Sequence, residues 1–451
     1  MRILPIAVLV AALGLVPPAL AAGKAAAGRT PQAGSVLPWI ANNYADAVSL
    51  ARARHVPLFV EAWAPWCHTC RSMRAFVLND ASLARHAKRF VWLDVDTEDP
   101  RNSAFRKRYP IEAIPSFYVI DPDDQVAKVR WIGGLTLTQL NALLDDASSG
   151  AYSSRAMLDR VAVADSLFGS GDNAAAAKAY QQLLESAKPD WKGYPRAVES
   201  LMFSLLQTRQ NLEAVAVARS ALPRLGRTPS ALSVSASGLN ASYNLPDSLP
   251  ERAAAISEFE ASTRSLVTDT TFHAAADDRS GAWIELLSAR EALQDSAGAH
   301  AVAGEWSAFL DRSAAAAVSP DQRMVFDSHR LSAYLELGQP ERAVPMLEQS
   351  ERDRPDDYNP PARLAMAYLA MKHYDDALAA SNRAMLKAYG PRKLLLYSTR
   401  AEIYEGKGDI PSARRTIEGA IAYLETLPEE QRTEGRMANL KRQLAALPAA
   451  P

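Results

Sequence analysis

The spacing of apolar and polar positions divides this chain into two unlike halves. In the first, short apolar runs recur at Val56-Pro57-Leu58-Phe59-Val60, Phe90-Val91-Trp92-Leu93-Asp94-Val95, Phe117-Tyr118-Val119-Ile120 and Val126 to Trp131. Runs of this length, rich in β-branched and aromatic residues and bounded by turn formers, predict buried strands. Trp39, Tyr44, Val48 and Ala51 fall near helical spacing and predict a helix before the first run. Pro65 blocks further strand pairing, and Arg71, Met73, Phe76 and Val77 restart a helical pattern, which sets a helix N-terminus at Cys67. Asp121-Pro122-Asp123-Asp124 joins the last two strands as a hairpin, and Gly133-Gly134 leads into a closing helix from Leu137 to Leu144. This order predicts an α/β domain over residues 36–149, with a mixed sheet flanked by helices.

From about Ala156 the strand pattern disappears and alanine becomes dense, after a predicted linker at Ser148-Ser149-Gly150 and Ser153-Ser154. The remainder is expected to be all-α. Tyr334 stands nine residues before Ala343, with Leu347 four and Pro355 twelve residues after that alanine. Tyr368 precedes Ala377 by nine, with Ala384 seven further on, and Tyr404, Ala413, Ile417 and Ala420 repeat these offsets. The anchor alanines at 343, 377 and 413 are therefore 34 and 36 residues apart. That period resembles the tetratricopeptide repeat, in which small residues let two helices approach and aromatic residues fill the seam. Residues 321–447 carry this pattern, and 156–222 carry a looser version at Gly171-Asp172-Asn173, Ala176 and Tyr180, then Leu205, Ala214 and Ala221. Residues 223–320 read as diverged helical hairpins, with a Ser-rich break at Ser233-Val234-Ser235-Ala236-Ser237 and a hydrophobic run from Trp283 to Leu287.

Composition narrows the functional classes. With Lys and Arg at 50 against Asp and Glu at 51, the chain has no electrostatic footprint for nucleic acid or an anionic membrane. Met1-Arg2, the apolar Ile3 to Val16 and Ala19-Leu20-Ala21 form a charged start, a short core and a small-residue cleavage site. Residues 1–22 thus read as a signal peptide and 23–35 as a flexible segment. The expected mature protein is exported, periplasmic or extracellular, and not inserted in a membrane.

Trp66-Cys67-His68-Thr69-Cys70 holds the only two cysteines of 451 residues. Residues three apart on a helix are neighbours, so the two sulfurs can close and reopen a disulfide within one turn. A loop this short adds little stability by chain closure, which points to redox function. Zinc would need four ligands, and no second Cys-x-x-Cys or spaced His pair exists. At a helix N-terminus the amide donors favour thiolate, making Cys67 the expected nucleophile. Cys70, one turn inward, would resolve the mixed disulfide. A protonated His68 would further stabilise the thiolate; a solvated, uncharged loop histidine is the alternative.

The segment Phe59-Val60-Glu61-Ala62-Trp63-Ala64-Pro65-Trp66-Cys67-His68-Thr69-Cys70 resembles the active-site segment of the thioredoxin superfamily, and the resemblance extends over Ser35 to Ser149. The Trp39 helix and the Asp94-Val95-Asp96-Thr97-Glu98 strand end are most similar to secreted thioredoxin-like domains related to the C-terminal domain of membrane thiol:disulfide interchange proteins. The resemblance implies a cis-proline at Pro115 facing the cysteines, with the Ile114 backbone free to pair with an extended substrate strand. It implies that Glu61 is a buried acid, without a partner and raised in pKa, that shuttles the Cys70 proton, although Asp is commoner there; a structural carboxylate at a strand end is the alternative. Trp66 would form an apolar platform for a partner, and His68 and Thr69 would modulate the pair. Ala75 departs from the helix-kinking proline common in cytosolic thioredoxins.

Asp94, Asp96, Glu98 and Asp99 read as a solvated strand end, Gly406-Lys407-Gly408-Asp409 as an inter-helix turn, and no hydrolase motif is present. The leading expectation is an exported thiol-disulfide oxidoreductase, leaning to reductase or isomerase, with no cofactor and no metal. Its partners would be disulfide-bearing client proteins, a membrane electron donor and a protein held on the repeats. The alternatives are an interaction scaffold with a vestigial or sensing redox pair, and copper handling by Cys67, His68 and Cys70.

Overall fold

The computed structural model describes residues 35–111, 113–149, 157–188 and 190–448. The expected signal peptide, nearly all of 23–35 and most of the expected linker lie outside the described residues. Five strands, β1 (Trp39–Ala41), β2 (Leu58–Trp63), β3 (Val91–Asp96), β4 (Ser116–Ile120) and β5 (Ala127–Ile132), form one sheet in the order β1-β3-β2-β4-β5. β1 and β2 run parallel to β3, and β4 and β5 are antiparallel, which is the expected mixed sheet.

Central β2 is buried along its whole length, so it reads as a nearly continuous apolar run rather than an alternating one. Its side chains still alternate between two cores. Phe59 joins Trp92, Phe117, Leu140 and Leu144 on one face, and Val60 joins Leu93, Tyr118, Val48 and Phe105 on the other. The flanking helices are α1 (Tyr44–Arg54), α2 (His68–Ser72), α3 (Ser103–Arg108) and α4 (Leu137–Ser149). Trp39 is not helical as expected: it sits opposite Trp92 in the register of β1 and β3, with ring centroids 5.4 Å apart. Asn42, at φ 55°, reverses the chain, and the Asn43 side chain caps α1. A three-residue strand is too short for its alternation to show in sequence.

All later elements among the described residues are helical. They begin with α5 (Met157–Gly169), α6 (Asn173–Ser186), α7 (Tyr194–Gln207) and α8 (Asn211–Leu225). The region of degraded pattern forms α9 (Pro229–Tyr243), α10 (Glu251–Val267), α11 (Ala276–Ala292) and α12 (Ser296–Ala315). There follow α13 (Pro320–Met324), α14 (Asp327–Glu336), α15 (Ala343–Asp353), α16 (Asn359–Ala370), α17 (Tyr374–Lys387), α18 (Lys393–Gly406), α19 (Ile410–Thr426) and α20 (Glu434–Ala446). The anchors Ala343, Ala377 and Ala413 are fully buried between paired helices, as the repeat spacing predicts. The Ser-rich stretch is no break: it lies within α9, where Ser235 Oγ and Thr263 Oγ1 are 2.8 Å apart. Gly238 lets α9 approach α10, since a Cβ there would stand 2.6 Å from the Phe259 ring. Small residues that mimic a loop in composition here serve close helix packing.

The helical array leans on the sheet domain at several places. α5 packs on β5, α11 and α13 pack on α2, Asn359 at the start of α16 reaches the turn after β2, and Tyr389 and Gln431, which follow α17 and α19, reach the end of β3 and the loop after it. None of the described helices is long and apolar enough to cross a membrane.

Candidate redox site

Strand β2 ends at Trp63, and the chain turns through Ala64, Pro65 and Trp66 before α2 begins. Cys67 is the N-cap of α2, and its Sγ accepts the Cys70 N–H at 3.1 Å. The sulfurs of Cys67 and Cys70 are bonded, with Cα atoms 5.2 Å apart. Cys67 is 5 % exposed and Cys70 is 0 % exposed, so only the first can meet another molecule. Ile114-Pro115 is a cis peptide, and the Ile114 carbonyl lies 3.8 Å from Cys67 Sγ. Beyond α2 the helix widens into a π turn over Met73–Val77. The irregularity thus occurs at Ala75 without the proline.

Glu61 is buried, but the expectation that it lacks a partner is corrected. Arg74 Nε donates to Glu61 Oε2 at 3.0 Å, and its Nη2 reaches Glu61 Oε2 at 2.8 Å and Asp94 Oδ2 at 2.9 Å. The guanidinium lies 3.4 Å from the Trp63 ring centroid, and Trp63 Nε1 donates to Asp94 Oδ1. Burial pushes the Glu61 carboxyl up to about 7 even against Arg74, which favours the ionised form. Trp63 is thereby core and ion-pair platform at once.

His68 also departs from expectation. It is buried between domains: its Nδ1 meets the Asp277 carboxylate of α11, and its ring stacks on His329 of α14 with centroids 3.6 Å apart. Burial, with His329 and the Arg363 and Arg71 guanidinium groups nearby, holds the imidazole well below the ordinary histidine range. This enclosure rules out a solvated histidine beside Cys67, and the lowered pKa disfavours an imidazolium there. His329 is held in turn by Ser280 Oγ at 2.7 Å from its Nδ1, and Trp306 Nε1 donates to the same oxygen at 2.8 Å. Thr69 remains half-buried, its methyl packed toward Gly134.

The acidic strand end is likewise not solvated. Asp96, Glu98 and Asp99 are buried. Trp66 Nε1 donates to Glu98 Oε1 at 2.9 Å, while Glu98 Oε2 accepts the Arg392 N–H at 2.8 Å and the Arg392 guanidinium lies 4.8 Å from the Trp66 ring centroid. Tyr389 donates to Asp96, whose carboxyl burial pushes up to about 7. Arg71 pairs with Asp357 and donates to the Pro65 carbonyl, which also accepts from Asn359 at 3.3 Å. Asp277, His329, Asp357 and Arg392 lie more than 200 positions from the cysteines, and no local pattern ties them to the site.

Residues 39–122 match the family model described as thioredoxin-like. This segment is a thioredoxin-like domain. Residues 334–395 match the tetratricopeptide repeat model. Among curated proteins, the M-type chloroplastic thioredoxin of Zea mays is 30 % identical over 96 residues, 21 % of this chain. The chain spans about half the length of that relative, 54 %. Among solved structures, a tetratricopeptide repeat protein from Parabacteroides merdae ATCC 43184 aligns with a TM-score of 0.41 and 12 % identity, covering 64 % of this chain and 97 % of the other. The chain therefore joins a thioredoxin-like domain bearing a Cys-x-x-Cys pair to a tetratricopeptide repeat module. Among the described residues no group of three His, Cys, Asp or Glu side chains is set to hold a metal ion.

Proposed function

We propose that this chain is an exported thiol-disulfide oxidoreductase that reduces or isomerises disulfides of client proteins. The observation that carries the reading is Cys67 at the N-terminus of α2, its Sγ already accepting an amide hydrogen and facing the Ile114 carbonyl. That position stabilises a thiolate. The reduced Cys67 thiolate attacks a client disulfide, forming a mixed disulfide and releasing one client thiolate. Cys70 then passes its proton to Glu61 and attacks Cys67 Sγ, which releases the second client thiolate and leaves the pair oxidised. Two electrons pass to the client, two protons follow to its thiolates, and a dithiol donor at the membrane restores the pair. Ile114 and Pro115 would align an extended client segment beside Cys67, with Trp66 packing against it. The repeats are the interaction module of the pair.

The test is the reduction potential, obtained by equilibrating the protein in dithiothreitol buffers and counting free thiols. A value near −270 mV, about that of thioredoxin, is expected; one near about −120 mV would make the protein an oxidant. A pair that never cycles overturns the proposal.

Glu61→Gln is expected to slow resolution of the mixed disulfide at pH 7 by roughly a hundredfold, the low end for a positioned acid-base group. Quenched-flow trapping of the intermediate measures this step, and an unchanged rate removes Glu61 from the mechanism.

A further inference from the structure

The face that a thioredoxin-like domain would offer to a client is here covered by the chain's own repeats. Around Cys67, each long side chain of the active-site turn is held by a residue of the helical array. Trp66 is shared between Glu98 and Arg392, His68 lies against Asp277 and His329, and Arg71 pairs with Asp357. Asn359 reaches the Pro65 carbonyl just before the cysteines. Further out, Arg106 pairs with Glu430 at 2.8 Å, and Gln431 Nε2 donates to the Thr97 carbonyl at 3.0 Å. Gly390 fits so closely that a Cβ would stand 2.7 Å from the Glu98 carbonyl oxygen, and its φ of 64° already disfavours other residues. The contact is thus specific at both its centre and its rim. The approach that remains to Cys67 runs along Ile114, which is only partly buried.

We infer that the repeats are a specificity element of the redox site: Asp277, Asp357, Asn359 and Arg392 hold a closed form that admits small disulfides to Cys67 and excludes folded proteins until the array moves away. This inference rests on the redox reading above. In the closed form the Cys67 thiolate attacks a low-molecular-weight disulfide edge-on beside Ile114, and Cys70 completes the exchange. The protein pair loses two electrons, and the small disulfide becomes two thiols. A globular client reaches the same sulfur only after the Trp66 platform is uncovered.

The experiment uses the full chain, reduced with dithiothreitol and freed of it, in single-turnover oxidation by hydroxyethyl disulfide or by insulin. Gly390→Val places a wedge against Glu98, and Glu430→Arg with Gln431→Ala reverses the rim charge. None of the three positions is among the residues packed on the sulfurs, and the second variant guards against a folding defect in the first. Both variants are expected to raise the insulin rate tenfold or more while the hydroxyethyl disulfide rate changes less than twofold. An insulin rate unmoved in both variants, or a parallel rise with both oxidants, overturns the gate and leaves the oxidoreductase reading intact. If neither disulfide oxidises any of the proteins, both readings are overturned.

Discussion

Replacing Cys67 with serine is expected to bring disulfide exchange down to the uncatalysed rate, whereas replacing Cys70 is expected to trap the client on the protein. The asymmetry follows from the two environments. Cys67 Sγ caps α2, accepts the Cys70 N–H and retains a sliver of exposure, so it alone combines thiolate stabilisation with access. A serine hydroxyl at that place keeps the cap but is not ionised at neutral pH. Cys70 has no exposure and serves only a bond that has already reached Cys67. With Cys70→Ser, attack proceeds, and no other thiol in the chain can resolve the adduct. The adduct is read as a dithiothreitol-sensitive band on a non-reducing gel with a small disulfide-bonded peptide as client. Trapping by Cys67→Ser instead would exchange the two roles.

The parts of this architecture that were legible in the sequence are those governed by local periodicity. The buried run at Leu58–Trp63 and the hairpin of β4 and β5 follow from apolar runs and turn residues. The 34- and 36-residue spacing of Ala343, Ala377 and Ala413 follows from helix pairs that must approach closely. The cysteine pair was legible because neighbours in sequence are neighbours in space there, whereas the cis-proline at Pro115, far along the chain from Cys67, was legible only through the resemblance to the thioredoxin superfamily. What escaped was set by contacts between the halves. Asp96 and Glu98 look like a solvated acidic turn until Tyr389 and the Arg392 N–H arrive from the far end of the chain. His68 looks free to protonate until Asp277 and His329 enclose it. Ser233 to Ser237 looks like a break in the helical pattern because serine suits both loops and tight helix seams. Composition cannot separate those two uses; a packing partner can.

Removal of Arg74 should produce the largest loss of stability in the thioredoxin-like domain, and that loss should depend on pH. The guanidinium bridges Glu61 and Asp94 and lies over the Trp63 ring, so Arg74→Ala leaves two carboxylates facing each other with Glu61 wholly enclosed. Breaking a buried pair from one side costs about 3–5 kcal/mol, because the remaining charge keeps its desolvation penalty. In the unmodified protein Glu61 is raised from 4.5 to about 7 by burial, so its carboxyl prefers the proton more in the folded state than in the unfolded chain. Its contribution is therefore fully present below about pH 4.5 and is lost as pH rises through about 7. Without Arg74 the folded-state pKa rises further, and the loss extends to higher pH. The urea midpoint of Arg74→Ala, followed by tryptophan fluorescence, should lie furthest below that of the parent at pH 8 and recover much of the gap at pH 5. Adding Glu61→Gln should restore stability at pH 8, because the amide carries no charge to strand. A gap independent of pH, unmoved by the second substitution, would show that Arg74 acts through its packing on Trp63 and not through the carboxylates.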